Sequence, residues 1–301
     1  LQTSILKLLC APLAGAVLGR PAPFGQETLQ HLHRANLFII SLDDERRWYR
    51  YHPLFADLLR RRLEQRTDID QADLHLRASR WFEENDLPIE AFQHAATAND
   101  IERASRLVEG EGLPLPYRGA MAPVMKWLES LPAAELAARP SLAVLYATVQ
   151  TLTGQAINQV QQILQIAETA LEQREPCPRD QDLLGQIAAL RAMLAIPVHD
   201  MEEIFKQSRR ALDMLSPDNL PARTGANWTL GMAYQRQGDR QEAARVFSQA
   251  VAASQASGNI MFSIAAQTSL GQLLEGDNAL HEAAENYRQV IDLAGKPAYG
   301  G

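Results

Sequence analysis

Seven histidines, two cysteines and 36 acidic residues are spread over this 301-residue chain, and their spacing decides whether any reactive group can assemble. His31 and His33 are two apart, which on a helix turns them to different faces. His52, His75, His94, His199 and His281 are each isolated in sequence. No HExxH, GxSxG or Cys-His arrangement is present, so neither metal-assisted nor nucleophilic hydrolysis has its usual parts. Cys10 and Cys177 form no CxxC, which leaves a disulfide framework and a zinc site without support. The neighbouring carboxylates Glu83-Glu84 and Glu202-Glu203 fall on amphipathic stretches, where consecutive charges face water. A phosphate-cradling GxxxxGK[ST] loop is also missing, because the sole Gly-Lys pair, Gly295-Lys296, is followed by Pro297. The expectation is a non-enzymatic chain with no metal and no cofactor of its own.

The residues best suited to recognition are Trp228, Met232, Gln235 and Arg236, which share one helical stripe. A large aromatic, a soft thioether and two polar heads are the ingredients of a groove that binds a ligand or partner. The alternative is that Trp228 packs against the preceding helix, from about residue 188 to residue 196. Both readings stand at the level of sequence.

Composition narrows the class of protein. Hydrophobic residues make up 46%, charged residues 22% and aromatics 6%, with recurrent Ala, Leu and Gln, so the chain is globular and biased to helix. A net charge of −7 argues against a broad phosphate-binding surface and hence against direct DNA reading. No apolar run reaches the ~18 residues of a membrane span, and the expected location is the cytoplasm. A start without Met and a stop at GKPAYGG, just after a helical pattern, read as the middle of a longer protein.

Two regions must position these residues. Within 1–66, short helices are followed by an apolar run rich in β-formers (38–42), a charged turn (43–47) and an aromatic run (48–51), the pattern of a β-hairpin. Pro53 then opens a helix with Leu54, Phe55, Leu58, Leu59 and Leu63 on one stripe. This is a winged-helix-like outline. Its arginines (Arg46, Arg47, Arg50, Arg60, Arg61, Arg62) suit either a DNA contact or, with more weight given the acidic whole, a solvated or intramolecular face. From 67 to 301, helical stripes of about 12 to 16 residues alternate with breaks. Gly231, Glu242, Ala243 and Phe247 recur as Gly271, Glu282, Ala283 and Tyr287, all at the spacing that separates 231 from 271. Such a repeat predicts stacked helical hairpins with the small residues at close approaches. The fold class is therefore mainly α: a winged-helix-like N-terminal module followed by an α-solenoid of tetratricopeptide-like hairpins, whose stacking offers a concave surface to a partner.

The strings LQTSIL, RANLFIISLDDERRWYRYHPLFADLLRRRL and LHLRASRWFEENDLPIEAFQHAATANDIERASRLVE resemble the segment that follows the ATPase module in MalT-like, LuxR-type ATP-dependent transcriptional regulators. The resemblance is close over the first third and architectural beyond it. It implies that ATP or ADP with Mg binds an ATPase domain outside this sequence, and that DNA is read only by a C-terminal helix-turn-helix, also outside it. It further implies a small-molecule inducer or regulatory protein as partner, with self-association in the whole protein and no membrane contact. In related nucleotide switches a Met-His-Asp motif lets its His contact the nucleotide phosphates. RYHPLFADLL resembles that context, with His52 aligned and Pro53 where Asp would stand. His52 is thus a nucleotide-sensing candidate, or a residue that caps or packs the hairpin–helix junction. A free-standing tetratricopeptide-type scaffold for a partner peptide is the competing function.

Overall fold

The computed structural model describes residues 1–35, 38–45, 47–110 and 113–295, without the side chains of 22–24. Arg46 and Lys296, named above, lie outside the described residues. The chain divides into two compact units, Leu1–Val108 and Glu109–Gly301. The expected boundary after Arg66 therefore falls inside the first unit. The reason is packing: the helix that starts at Gln71 lies against the helix Ala11–Leu18 and the turn Gln2–Ile5.

In the first unit, α1 (Ala11–Leu18) and α2 (Ala22–Arg34) lead into β1 (Ile39–Ser41) and β2 (Tyr49–Tyr51). The strands pair antiparallel in the register Ile39↔Tyr51, Ile40↔Arg50 and Ser41↔Tyr49. The charged turn closes on itself because the Asp43 carboxylate accepts from the N–H groups of Arg47 (2.8 Å) and Trp48 (3.2 Å). Leu9 adds a bridge to Tyr49 through two bonds of 2.8 Å, and the Tyr49 ring is fully buried beneath it. Pro53 begins α3 (Pro53–Glu64). Of the stripe on α3, Leu63 is buried with Ala56, Phe55 and Leu59 are half-buried, and Leu54 (75%) and Leu58 (47%) are exposed. Arg60 fixes that orientation by donating from Nε to the Ser4 carbonyl at 3.0 Å. Three further helices, α4 (Gln71–Glu84), α5 (Pro88–Thr97) and α6 (Ile101–Glu109), follow. Glu83 of α4 receives both Arg103 and Arg106 of α6.

The second unit contains α7 (Met121–Ser130), α8 (Ala133–Ala138), α9 (Pro140–Leu152), α10 (Ile157–Glu172), α11 (Pro178–Ala195), α12 (Met201–Met214), α13 (Leu220–Gln237), α14 (Arg240–Ser257), α15 (Ile260–Gly276) and α16 (Leu280–Ala294). Helix starts follow local rules. Asp200, Asn219, Asp239 and Asn259 each accept, at 3.0–3.3 Å, the N–H three residues on, which satisfies donors that have no partner inside the helix. Consecutive helices pack as hairpins, and the buried residues form a series of small clusters, each bridging neighbouring helices. A stacked array requires that arrangement, since no hairpin buries its apolar face alone.

The repeated small residues sit at the close approaches. A Cβ on Gly231 would lie 2.6 Å from two carbons of the Phe247 ring, and one on Gly271 would lie 2.7 Å from Tyr287. Ala243 and Ala283 are buried beside them. Hairpins α13–α14 and α15–α16 are thus two copies of one design, in which the second helix lays an aromatic ring on the first helix's glycine.

Candidate functional site

Within the second unit the first helices of successive hairpins stand side by side, α11 against both α9 and α13, and α13 against α15. Between these helices lies a cavity of ≈ 360 Å³, at the lower end of the range used by small-molecule sites. Helix periodicity sets its walls. Ser141, Leu145 and Thr148 come from α9, and Asp182, Gln186, Ala189 and Met193 from α11, each set spaced by threes and fours along one face. Gly225 of α13 leaves room that a side chain would fill, its nearest neighbours from a Cβ being Phe262 (3.8 Å) and Met193 (3.9 Å). Phe262 of α15 and Tyr117, from the 3-10 turn Leu115–Arg118, approach to 6.2 Å between ring centroids. Burial pushes the Tyr117 phenol above its ordinary pKa, which keeps it protonated.

One carboxylate holds this wall together. Asp182 accepts from the Ser216 N–H (2.7 Å), the Asn219 side-chain amide (2.7 Å) and the Gln186 amide (2.9 Å). Since Asn219 also caps α13, Asp182 ties the start of α11 to the start of α13. Behind the cavity, Glu168 of α10 accepts from Arg191 (2.7 Å) and Arg210 (3.1 Å), a largely buried pairing across three helices.

The stripe singled out in the sequence lies elsewhere. Trp228 is half-buried, with Met232, in the cluster formed by Ala243, Phe247 and Leu273, and its indole N–H donates to Ser269 Oγ at 3.0 Å. The hydrogen-bond partner of Trp228 thus belongs to α15. Helix α13 packs on four neighbours, α11, α12, α14 and α15. Arg236 is exposed and donates to His199 Nδ1 at 3.1 Å; Gln235 is half-buried beside it in sequence. None of the four lines the cavity. His52 is exposed at the hairpin–helix junction; its backbone N–H donates to Phe38 and its carbonyl accepts from Phe55 and Ala56, while its side chain makes no capping bond.

A pair invisible in the sequence appears in the first unit. His75 of α4 and His94 of α5 meet Nδ1 to Nδ1 at 2.8 Å, with Phe82 stacked on the His94 ring at 5.3 Å. Such a contact requires one nitrogen to donate and the other to accept. Burial, and then the charges of His75 and Lys7, push the His94 pKa down to about 3; burial lowers that of His75 too. Among the described residues no group of three or more His, Cys, Asp or Glu could hold a metal ion, and no helix is long and apolar enough to cross a membrane.

A module of helices around one β-hairpin, followed in sequence by helical hairpins stacked at a repeated spacing, defines the class: a winged helix joined to a tetratricopeptide-like array. Residues 1–71 match the MalT winged helix domain and residues 185–299 the MalT-like TPR region. The chain is a MalT-like winged helix and TPR region. Serine/threonine-protein kinase PknK of Mycobacterium tuberculosis is 33% identical over 231 residues, covering 74% of this chain and 20% of that protein. HTH-type transcriptional regulator MalT of Yersinia enterocolitica is 28% identical over 269 residues, covering 89% of this chain and 30% of that protein. The chain thus spans only a minor part of the length of these relatives. A signal transduction ATPase with numerous domains (STAND) protein with a tetratricopeptide repeat sensor, from Pyrococcus horikoshii, shares the fold with a TM-score of 0.56 at 12% identity, over 96% of this chain and 49% of that one.

Proposed function

We propose that the chain is the winged-helix and sensor portion of an ATP-dependent, MalT-like regulator, itself without catalytic activity, whose second unit receives a small inducer or a regulatory protein and so controls activation and self-association. The observation that carries this reading is the presence, in one chain, of both MalT-like regions. The cavity between α9, α11, α13 and α15 supports it by offering a binding volume on the face of the array where successive first helices meet. His52, with a solvent-exposed side chain at the start of α3, is the residue we assign to nucleotide sensing. An imidazole so placed can donate to a phosphate oxygen.

The output of the whole protein has two readings. Transcription through a separate DNA-reading domain follows from the likeness to MalT, and protein phosphorylation follows from the somewhat higher identity to PknK. Reading the coding sequence on both sides separates them: a nucleotide-binding loop upstream with a helix-turn-helix downstream supports the first, and a kinase catalytic domain in the same polypeptide supports the second. Absence of any of these overturns the regulator reading in favour of a scaffold for a partner peptide. Calorimetric titration of the 301-residue chain with ATP gives no binding on this proposal, and tight binding would refute it.

A further inference from the structure

We propose that the cavity of the second unit takes a small amine, a single ammonium group carried on a compact apolar or aromatic body; this rests on the sensor reading above and names its ligand class. The argument is an inventory of what the lining leaves unsatisfied. Four ionic side chains face the cavity: Glu109, Arg179, Asp182 and Asp218. Arg179 is paired with Glu109 at 3.3 Å, and Asp182 already accepts three hydrogen bonds. The Asp218 carboxylate is exposed at the rim and takes part in none of the described hydrogen bonds or ion pairs. The charge left without a partner is therefore negative.

The positive ends of α11, α13 and α15 reach the same region but are capped by their own side chains, Cys177 Sγ accepting from Asp180, Asn219 from Ala222 and Asn259 from Phe262. Their pull on an anion is correspondingly reduced, because the dipole acts chiefly through unsatisfied N–H groups of the first turn. A polyol fits poorly for a different reason. The Thr148 hydroxyl donates to its own helix at Val144 and the Gln186 amide donates to Asp182, which leaves the Ser141 hydroxyl of α9 to direct a ligand hydroxyl where a polyol needs several such groups. The deeper wall is apolar, with Leu145, Leu183, Leu190 and Met193. The Tyr117–Phe262 pair adds two ring faces, and aromatic faces attract cations.

The test uses the 301-residue chain and three probes of one shape: phenethylamine, the neutral 2-phenylethanol and the anionic 3-phenylpropionate, read by calorimetry and thermal shift. Phenethylamine binds more tightly than 2-phenylethanol by roughly fivefold, the weight of a rim ion pair with a cation–π contact, and 3-phenylpropionate does not bind. Asp218→Asn, at an exposed position, removes that preference. Gly225→Leu, which fills the space before Phe262 and Met193, abolishes binding; circular dichroism checks its folding, and Asp218→Asn decides the matter should it fail to fold. Equal or tighter binding of 2-phenylethanol, a preference that survives Asp218→Asn, or no binding by any probe overturns the amine. In the first of these cases, loss of 2-phenylethanol binding in Gly225→Leu leaves the cavity as a sensor site for another chemistry, so the two readings fail separately.

Discussion

Two glycines six positions apart in α13 give opposite answers to the same substitution. Gly231→Ala puts a methyl 2.6 Å from two carbons of a ring that is 0% exposed, so Phe247 must withdraw by most of an ångström into Ala243 and Leu273. Overpacking of that kind costs about 1–3 kcal/mol. Replacing a helix-interior glycine by alanine recovers about 1 kcal/mol. The net runs from about zero to a loss of about 2 kcal/mol. Gly225→Ala meets its nearest atoms at 3.8 Å, an ordinary contact, and keeps the full helix gain. Because both variants change the unfolded chain alike, their difference of about 1–3 kcal/mol isolates packing. Gly271→Ala, facing a ring that is only half-buried and can swing outward, falls between them. Urea unfolding followed by circular dichroism measures the midpoints, with hydrogen exchange of α13 and α14 amides reporting local loosening. Equal midpoints for Gly225→Ala and Gly231→Ala would refute the reasoning, as would a Gly231→Ala/Phe247→Leu double variant that recovers no stability.

Acid should weaken the first unit through the His75–His94 pair. Both native pKa values lie below the ordinary 6.5, so the unfolded chain takes up protons first and stability declines as pH falls from about 6.5, with the His94 value of about 3 contributing a loss of roughly 2–3 kcal/mol at pH 4.5. His94→Phe should flatten that acid limb in unfolding curves, and an unchanged slope would discount the pair. Glu168→Leu leaves Arg191 buried without its partner and should cost about 3 kcal/mol, whereas adding Arg191→Met should restore much of it; a double variant no better than the single one contradicts this. Trp228→Phe removes the bond to Ser269 and should cost about 1 kcal/mol. A neutral outcome would return Trp228 to the list of groove residues.

What could be read in advance was what one hairpin settles by itself. Phe247 lies as many residues past Gly231 as Tyr287 lies past Gly271, so the contact repeats with the sequence and is visible as a shared offset. The β-hairpin was legible because Asp43 closes its turn on residues four and five positions on. The cavity was not, because its parts meet only when hairpins stack: Asp182 reaches Asn219, and Tyr117 reaches Phe262, across intervening helices. The partner of Trp228 was not legible for a related reason: α13 packs on four other helices, so a stripe read from sequence does not say which of them it meets. The extent of the first compact unit was not legible either, because the packing of α4 on α1 joins residues that are distant in sequence.

Gly225 connects the fold to the proposed function. Gly231 and Gly271 are required by the rings pressed on them, and Gly185 by the backbone of Leu215, whose N would lie 2.9 Å from a Cβ. Gly225 has no such neighbour, so in a helix interior it costs about 1 kcal/mol without a compensating close approach. What its lack of a side chain leaves is volume beside Phe262 and Met193, inside the cavity. A site kept open at the expense of stability predicts a trade-off. Gly225→Ala should raise the urea midpoint of the unliganded chain while lowering the thermal shift produced by a cavity ligand such as phenethylamine. If the variant is both more stable and unchanged in its response, the space beside Gly225 is not part of the binding volume, and the cavity's contact with ligand must lie toward α9.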